Sequence, residues 1–214
     1  GEPVYGERDA VDLAKLRELG LPFWLAGGHG SAEGLNEALA EGASGIQVGT
    51  AFAFCAESGL DPRYKEIVLK MALAGTASVF TNPVASPTGF PFKVARVKGS
   101  LSEEEDYLAR TRVCDLGYLR EAYRKDDASI GYRCASEPVA AFAAKGGVAA
   151  DADGRRCLCN ALLANIGHPQ IRKDGLQEKP LLTSGDDLTQ IGRFLPAGAA
   201  SYTAKDVVTK LLGV

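Results

Sequence analysis

Two short apolar runs that end in glycine, Leu25-Ala-Gly-Gly-His-Gly-Ser31 and Gly45-Ile-Gln-Val-Gly-Thr-Ala51, are the residues of this chain best suited to chemistry. Glycine lets backbone N–H groups approach a ligand closely, and a helix opening directly after the first run adds its positive N-terminal end. Both runs therefore suit an anion, and a phosphate fits best. His29 is the one histidine beside them, and an imidazole can act as a base near neutral pH; the competing reading is a loop histidine that packs on or donates to the phosphate. His168, in Gly-His-Pro, reads as a turn residue.

Cys114, Cys134, Cys157 and Cys159 form C-x19-C-x22-C-x-C. Four thiolates could bind zinc or an iron–sulfur cluster, but the spacing is not that of a zinc ribbon, and thiols also pack well as small hydrophobes. Cys55 reads as core. Arg110, Arg112, Arg120, Arg124 and Arg133 make the middle of the chain basic, as a solvated face of ion pairs or as a grip on an anionic substrate or cofactor. Asp186-Asp187 resembles a helix cap more than a paired acid and base.

The elements that must position these residues alternate at first. Asp9 can cap a helix through Val11, Leu13, Leu16 and Leu19 that ends at Gly20. The continuous apolar run 22–26 suits a parallel strand buried on both faces. Ser31 opens a second helix with Leu35, Ala38 and Leu39 on one face, Gly42 stops it, and 45–49 is the next strand. Helix, strand, helix, strand in about fifty residues is the grammar of an α/β parallel sheet. A (β/α)8 barrel needs about 250 residues and often binds phosphate after its last two strands, and the first fifty residues look like that end of a barrel.

Asp61-Pro62 starts a further helix, with Ile67, Val68, Met71 and Ala72 on its apolar face and Gly75 as its stop. Short strands are expected at 76–80 and 92–97, around a loop rich in Pro and turn residues. Ser102 with Glu105 forms a capping-box pair before a short acidic helix. Residues 113–167 are mixed and loop-rich, with a helix at about 158–166. The tail ends in an amphipathic helix at about 203–212, carrying Val207, Val208, Leu211 and Leu212.

The 214 residues, 46% of them hydrophobic, suffice for one sizeable core or two small ones. A net charge of −3 gives no field that favours nucleic acid or an anionic membrane. No apolar run approaches the roughly 20 residues of a membrane span, and five cysteines do not make a secreted disulfide scaffold. A cytoplasmic protein with reduced thiols is the expectation, with neither nucleic acid nor membrane as a partner.

The run 21–28 and Gly42-Ala-Ser-Gly-Ile-Gln-Val-Gly-Thr-Ala-Phe resemble the nitronate monooxygenase family, formerly 2-nitropropane dioxygenase. The likeness continues through Glu57-Ser-Gly, Val84-Ala-Ser-Pro-Thr-Gly-Phe-Pro, Cys114-Asp-Leu-Gly-Tyr-Leu-Arg, Gly131-Tyr-Arg-Cys and Cys157-Leu-Cys-Asn-Ala-Leu-Leu. It implies a longer subgroup with a cysteine-bearing C-terminal extension. The fold class implied is α/β: the last βα units of an FMN-binding TIM barrel at 1–75, followed by an irregular α+β extension at 76–214.

By position, the resemblance implies that Gly27, Gly28, Gly49 and Thr50 hold the FMN phosphate, and that His29 stands where relatives commonly carry an apolar residue. It also implies an oxidoreductase that oxidises alkyl nitronates with O2. The earlier barrel strands, with the flavin-ring pocket and a proton-abstracting histidine, are expected to precede Gly1, supplied by a longer parent chain or a second subunit. Without them the two strands would present unpaired edges, which a partner or a swapped homo-oligomer would cover. The alternatives are an FMN-dependent enoyl reductase and, outside catalysis, a non-catalytic subunit or metal-stapled binding module.

Overall fold

The computed structural model describes Val4 and residues 6–214. In chain order the strands are β1 (Trp24–Ala26), β2 (Gly45–Gln47), β3 (Val79–Asn82), β4 (Phe92–Ala95), β5 (Glu121–Arg124) and β6 (Ile130–Arg133). The helices are α1 (Leu13–Glu18), α2 (Ala32–Ala40), α3 (Thr50–Ala53), α4 (Pro62–Leu73), α5 (Glu104–Ala109), α6 (Val139–Ala144), α7 (Cys159–Ala164) and α8 (Ala204–Leu212). The fold is mixed α/β. The strands pair two by two, β1 with β2, β3 with β4 and β5 with β6, so no closed barrel forms among the described residues.

The chain divides into two compact units, one made of Val4–Val79 with Ser184–Val214 and the other centred on Phe80–Thr183. In the first, β1 and β2 are parallel as expected, with Trp24 opposite Gly45 and Ala26 opposite Gln47. The expectation of burial on both faces fails: Trp24 is 57% exposed, because a two-stranded sheet has too few neighbours to cover it. The first helix is capped by Asp12, which accepts from the Lys15 N–H at 3.3 Å, while Asp9 lies in a 3-10 turn ahead of it. Ser31 caps α2, Asp61 caps α4 with Pro62 next to it, and Gly20, Gly42 and Gly75 end their helices in the left-handed region.

The tail rejoins this unit. A 3-10 helix at Asp186–Phe194 buries Leu188, Ile191 and Phe194 and packs on α3 and α4, and α8 packs on α2 with Val207 and Leu211 buried. Tyr202 is fully buried, and its hydroxyl donates to the Ala51 carbonyl at 2.7 Å. Burial pushes its phenol far up, so it stays a neutral donor. Ala56 N–H donates to the Tyr202 carbonyl at 2.8 Å, and Ala204 N–H to the Glu57 carboxylate at 2.9 Å.

The second unit has its own core of Val94, Leu101, Tyr107, Leu158, Ala161 and Leu181. The expected capping box of α5 is replaced by a knot: the Ser102 hydroxyl accepts from the Val97 N–H at 3.1 Å and lies 2.9 Å from the Ser100 hydroxyl, which donates to the Val97 carbonyl at 2.7 Å. The antiparallel β5–β6 hairpin falls in the stretch read as loop-rich. Its turn needs a left-handed residue and uses Ala128, at φ 65°, rather than Gly or Asn.

Replacing Tyr202 by Phe removes the hydroxyl that donates to the Ala51 carbonyl and leaves that buried carbonyl without this donor. The expected loss is about 1–3 kcal/mol, read by chemical denaturation; an unchanged midpoint would show that the bond does not anchor the tail.

Candidate functional site

Because β1 and β2 are parallel and in register, their carboxyl ends lie side by side. Gly27 and Gly28 follow β1 directly, and Gly49 and Thr50 lie two and three residues past β2. The four residues singled out from the sequence thus sit at one edge of one sheet, where open α/β sheets place their ligands. Gly27 is left-handed at φ 75°, and the His29 N–H donates to its carbonyl, closing a three-residue turn around Gly28. A Cβ built on Gly27, Gly28 or Gly49 would meet nothing within 4 Å, so the backbone there borders open space.

Two contacts hold the turns in place. The Thr50 hydroxyl accepts from the Gly185 N–H at 3.1 Å, which leaves its own proton free to donate. The Arg193 guanidinium donates to the Gly30 carbonyl at 2.7 Å and to the Asp187 carboxylate at 2.8 Å. Sequence reading missed Arg193 and gave Asp187 to a helix cap; the signal lies 163 residues from Gly30 and has no periodicity to betray it. The N-terminal end of α2 is met by the chain itself, because Glu33's own N–H and the Ser31 hydroxyl hold its carboxyl below the usual range. The open positions are therefore at the backbone of Gly28 and Gly49, not at that helix end.

His29 is half-buried and lines an open groove with residues of α1, Trp24, Leu25 and α2. Among the described residues no carboxylate is hydrogen-bonded to its ring. Its backbone serves α2: a Cβ on Gly34 would stand 2.8 Å from the His29 Cα and carbonyl oxygen. His168 is exposed just past α7, where its N–H closes a turn onto the Leu163 carbonyl at 3.2 Å.

In the second unit, Cys114, Cys134, Cys157 and Cys159 line one small cavity. All four are free thiols, Cys114 exposed and the others half-buried, while Cys55 is buried and donates to the Phe52 carbonyl at 3.1 Å. Burial pushes the Cys134 and Cys157 thiols up, and the nearby Arg110 charge opposes this at Cys157. Among the described residues, no three His, Cys, Asp or Glu side chains already stand as a metal site. The basic stretch is largely absorbed in pairing: Arg110 with Glu178 at 3.1 Å and Arg133 with Glu121 at 2.6 Å, while Arg112 donates to the Ser136 carbonyl at 3.4 Å. No helix among the described residues is long and apolar enough to cross a membrane.

In open α/β sheets ligands bind beyond the carboxyl ends of the strands, which is where these two glycine turns lie. Residues 6–88 match the nitronate monooxygenase family model. Among curated proteins, a nitronate monooxygenase of Pseudomonas aeruginosa is 37% identical over 94 residues, covering 42% of this chain and 27% of the relative. The chain thus spans about a quarter of that relative's length. No solved structure gives a significant match.

Alanine at Gly34 would gain about 1 kcal/mol of helix propensity, but its Cβ collides with backbone rather than with a flexible side chain, and such overpacking costs about 1–3 kcal/mol. The expected outcome for Gly34→Ala is a net loss of thermal stability together with a displaced Gly27–Gly30 turn; a more stable variant would contradict it.

Proposed function

We propose that this chain is part of an FMN-dependent oxidoreductase of the nitronate monooxygenase type, which oxidises alkyl nitronates with O2, and that it holds the FMN phosphate. The observation that carries the reading is the pair of glycine turns at one edge of a parallel sheet, inside the segment that matches the family. The donor set fits a phosphate. The backbone at Gly27, Gly28 and Gly49 borders open space, the Thr50 hydroxyl retains its proton, and among the described residues no carboxylate is hydrogen-bonded to these four.

FMN, when bound, supplies the electron transfer between nitronate and oxygen. The share of this chain is to bind and orient. Gly28 and Gly49 allow close backbone approach, Thr50 adds a hydroxyl donor, and Arg193 and Gly185 hold the two turns at their stations from behind. We assign no proton-abstracting role to His29, whose backbone seats α2. The flavin-ring pocket and the general base are proposed to come from a further segment or a partner chain that covers the exposed β1–β2 pair.

The test uses a property of Gly28 and Gly49: neither is left-handed, and a side chain at either meets no protein atom within 4 Å of its Cβ. Gly28→Leu and Gly49→Leu are therefore expected to fold as the parent does and to lose flavin, by at least tenfold in retention, measured by absorbance after gel filtration of the assembled enzyme. Unchanged retention in both would sink the phosphate assignment. Turnover of a crotonyl thioester with NADPH, in place of a nitronate with O2, would keep the cofactor and replace the reaction.

A further inference from the structure

We infer that Cys114, Cys134, Cys157 and Cys159 form a binding site for a single thiophilic metal ion of the zinc class, which staples the second unit. The site is independent of the flavin reading. Its first support is the pattern of burial. Cysteine that serves only as a small hydrophobe is among the most buried residue types, and Cys55 behaves so. The other four are exposed or half-buried, yet they converge on one cavity from separate parts of the chain.

The second support is the scaffold, which holds the chain close to each thiol. Asn160, 1% exposed and adjacent to Cys159, donates through its amide to the Val113 carbonyl at 3.0 Å and to the Asp115 carboxylate at 2.8 Å. Those two residues flank Cys114. The Ser136 hydroxyl, two residues past Cys134, donates to the Arg156 carbonyl at 2.6 Å, and Tyr107 accepts from the Cys157 N–H at 3.0 Å. Thus Cys114 is tied to the neighbour of Cys159, and Cys134 to the neighbour of Cys157. The β5–β6 hairpin separates the first two cysteines, and the last two lead into α7.

The third support is a buried guanidinium that is paired with Glu178 at 3.1 Å but keeps unused donors. The Arg110 side chain is 7% exposed and donates to the Cys157 carbonyl at 3.3 Å, yet its Nε and Nη2 are buried without a partner. Buried donors left unpaired are costly. Four thiolates around a divalent ion carry a net charge of −2, which Arg120 on the cavity and the unused Arg110 donors beside Cys157 would face. No carboxylate lines the cavity, which disfavours hard cations. At about 20 Å³ the cavity has room for one ion. The thiols are not yet in ligating positions. Binding draws them in and displaces their protons, as for sites that form together with their metal.

Titration of the reduced, chelator-treated full chain with Co2+ tests this. The expected result is one equivalent bound with thiolate-to-cobalt charge-transfer and tetrahedral d–d bands, bleached by Zn2+. Cys157→Ser/Cys159→Ser is expected to abolish the bands, and Cys55→Ser to keep them. Alkylation of the unmutated chain, read by mass spectrometry, gives a measure that no folding defect can confuse: Zn2+ should protect those four thiols. Absent bands in the unmutated chain, bands that survive the double variant, thiols unprotected by Zn2+, or iron with sulfide in the purified protein would each overturn the inference.

Discussion

The parallel pairing of Trp24–Ala26 with Gly45–Gln47 is the constraint on which the first unit depends. Parallel strands need a crossover between them, here α2, and both then end at the same edge. Had the pair been antiparallel, the two glycine turns would lie at opposite ends and could not share a ligand. The pairing also creates the unit's liability, an exposed strand pair with an exposed tryptophan on it. Such an edge calls for a covering segment.

The tail supplies the rigidity that the small sheet lacks. Gly185 and Arg193 reach the two turns directly, and Tyr202 fixes Ala51, the residue after Thr50. These are contacts between residues more than 130 positions apart, made possible because the 3-10 helix at Asp186–Phe194 and α8 bury apolar faces against α2, α3 and α4. Hydrophobic docking brings the tail in, and a few polar contacts then set the geometry of the turns. The second unit follows a different principle. It has short elements, a modest core and a buried Arg110–Glu178 pair, whose burial raises the Glu178 carboxyl. A pair of this kind adds little net stability, so a metal staple would complement it.

Local chemistry was legible wherever a residue acts on its own neighbours. Ser31 and Asp61 start helices as read, because a cap needs only a side-chain oxygen three residues or fewer from an N–H. The first helix was mis-started because Asp9 and Asp12 are chemically equal as caps, and only the surrounding backbone chooses between them. The β5–β6 hairpin escaped because its strands, Glu-Ala-Tyr-Arg and Ile-Gly-Tyr-Arg, lack apolar alternation and its turn lacks the usual Gly or Asn.

The sequence by itself determined the α/β alternation of the first fifty residues, the parallel strands, the glycine turns and their family likeness, since each depends on periodicity or on the conformational freedom of single residues. Only the tertiary structure decided that the tail folds back to hold those turns, that Arg193 stands behind Gly30, and that four dispersed cysteines face one cavity beside a buried guanidinium with unused donors. These are long-range pairings, chosen by which apolar faces bury together, and no local spacing records that choice.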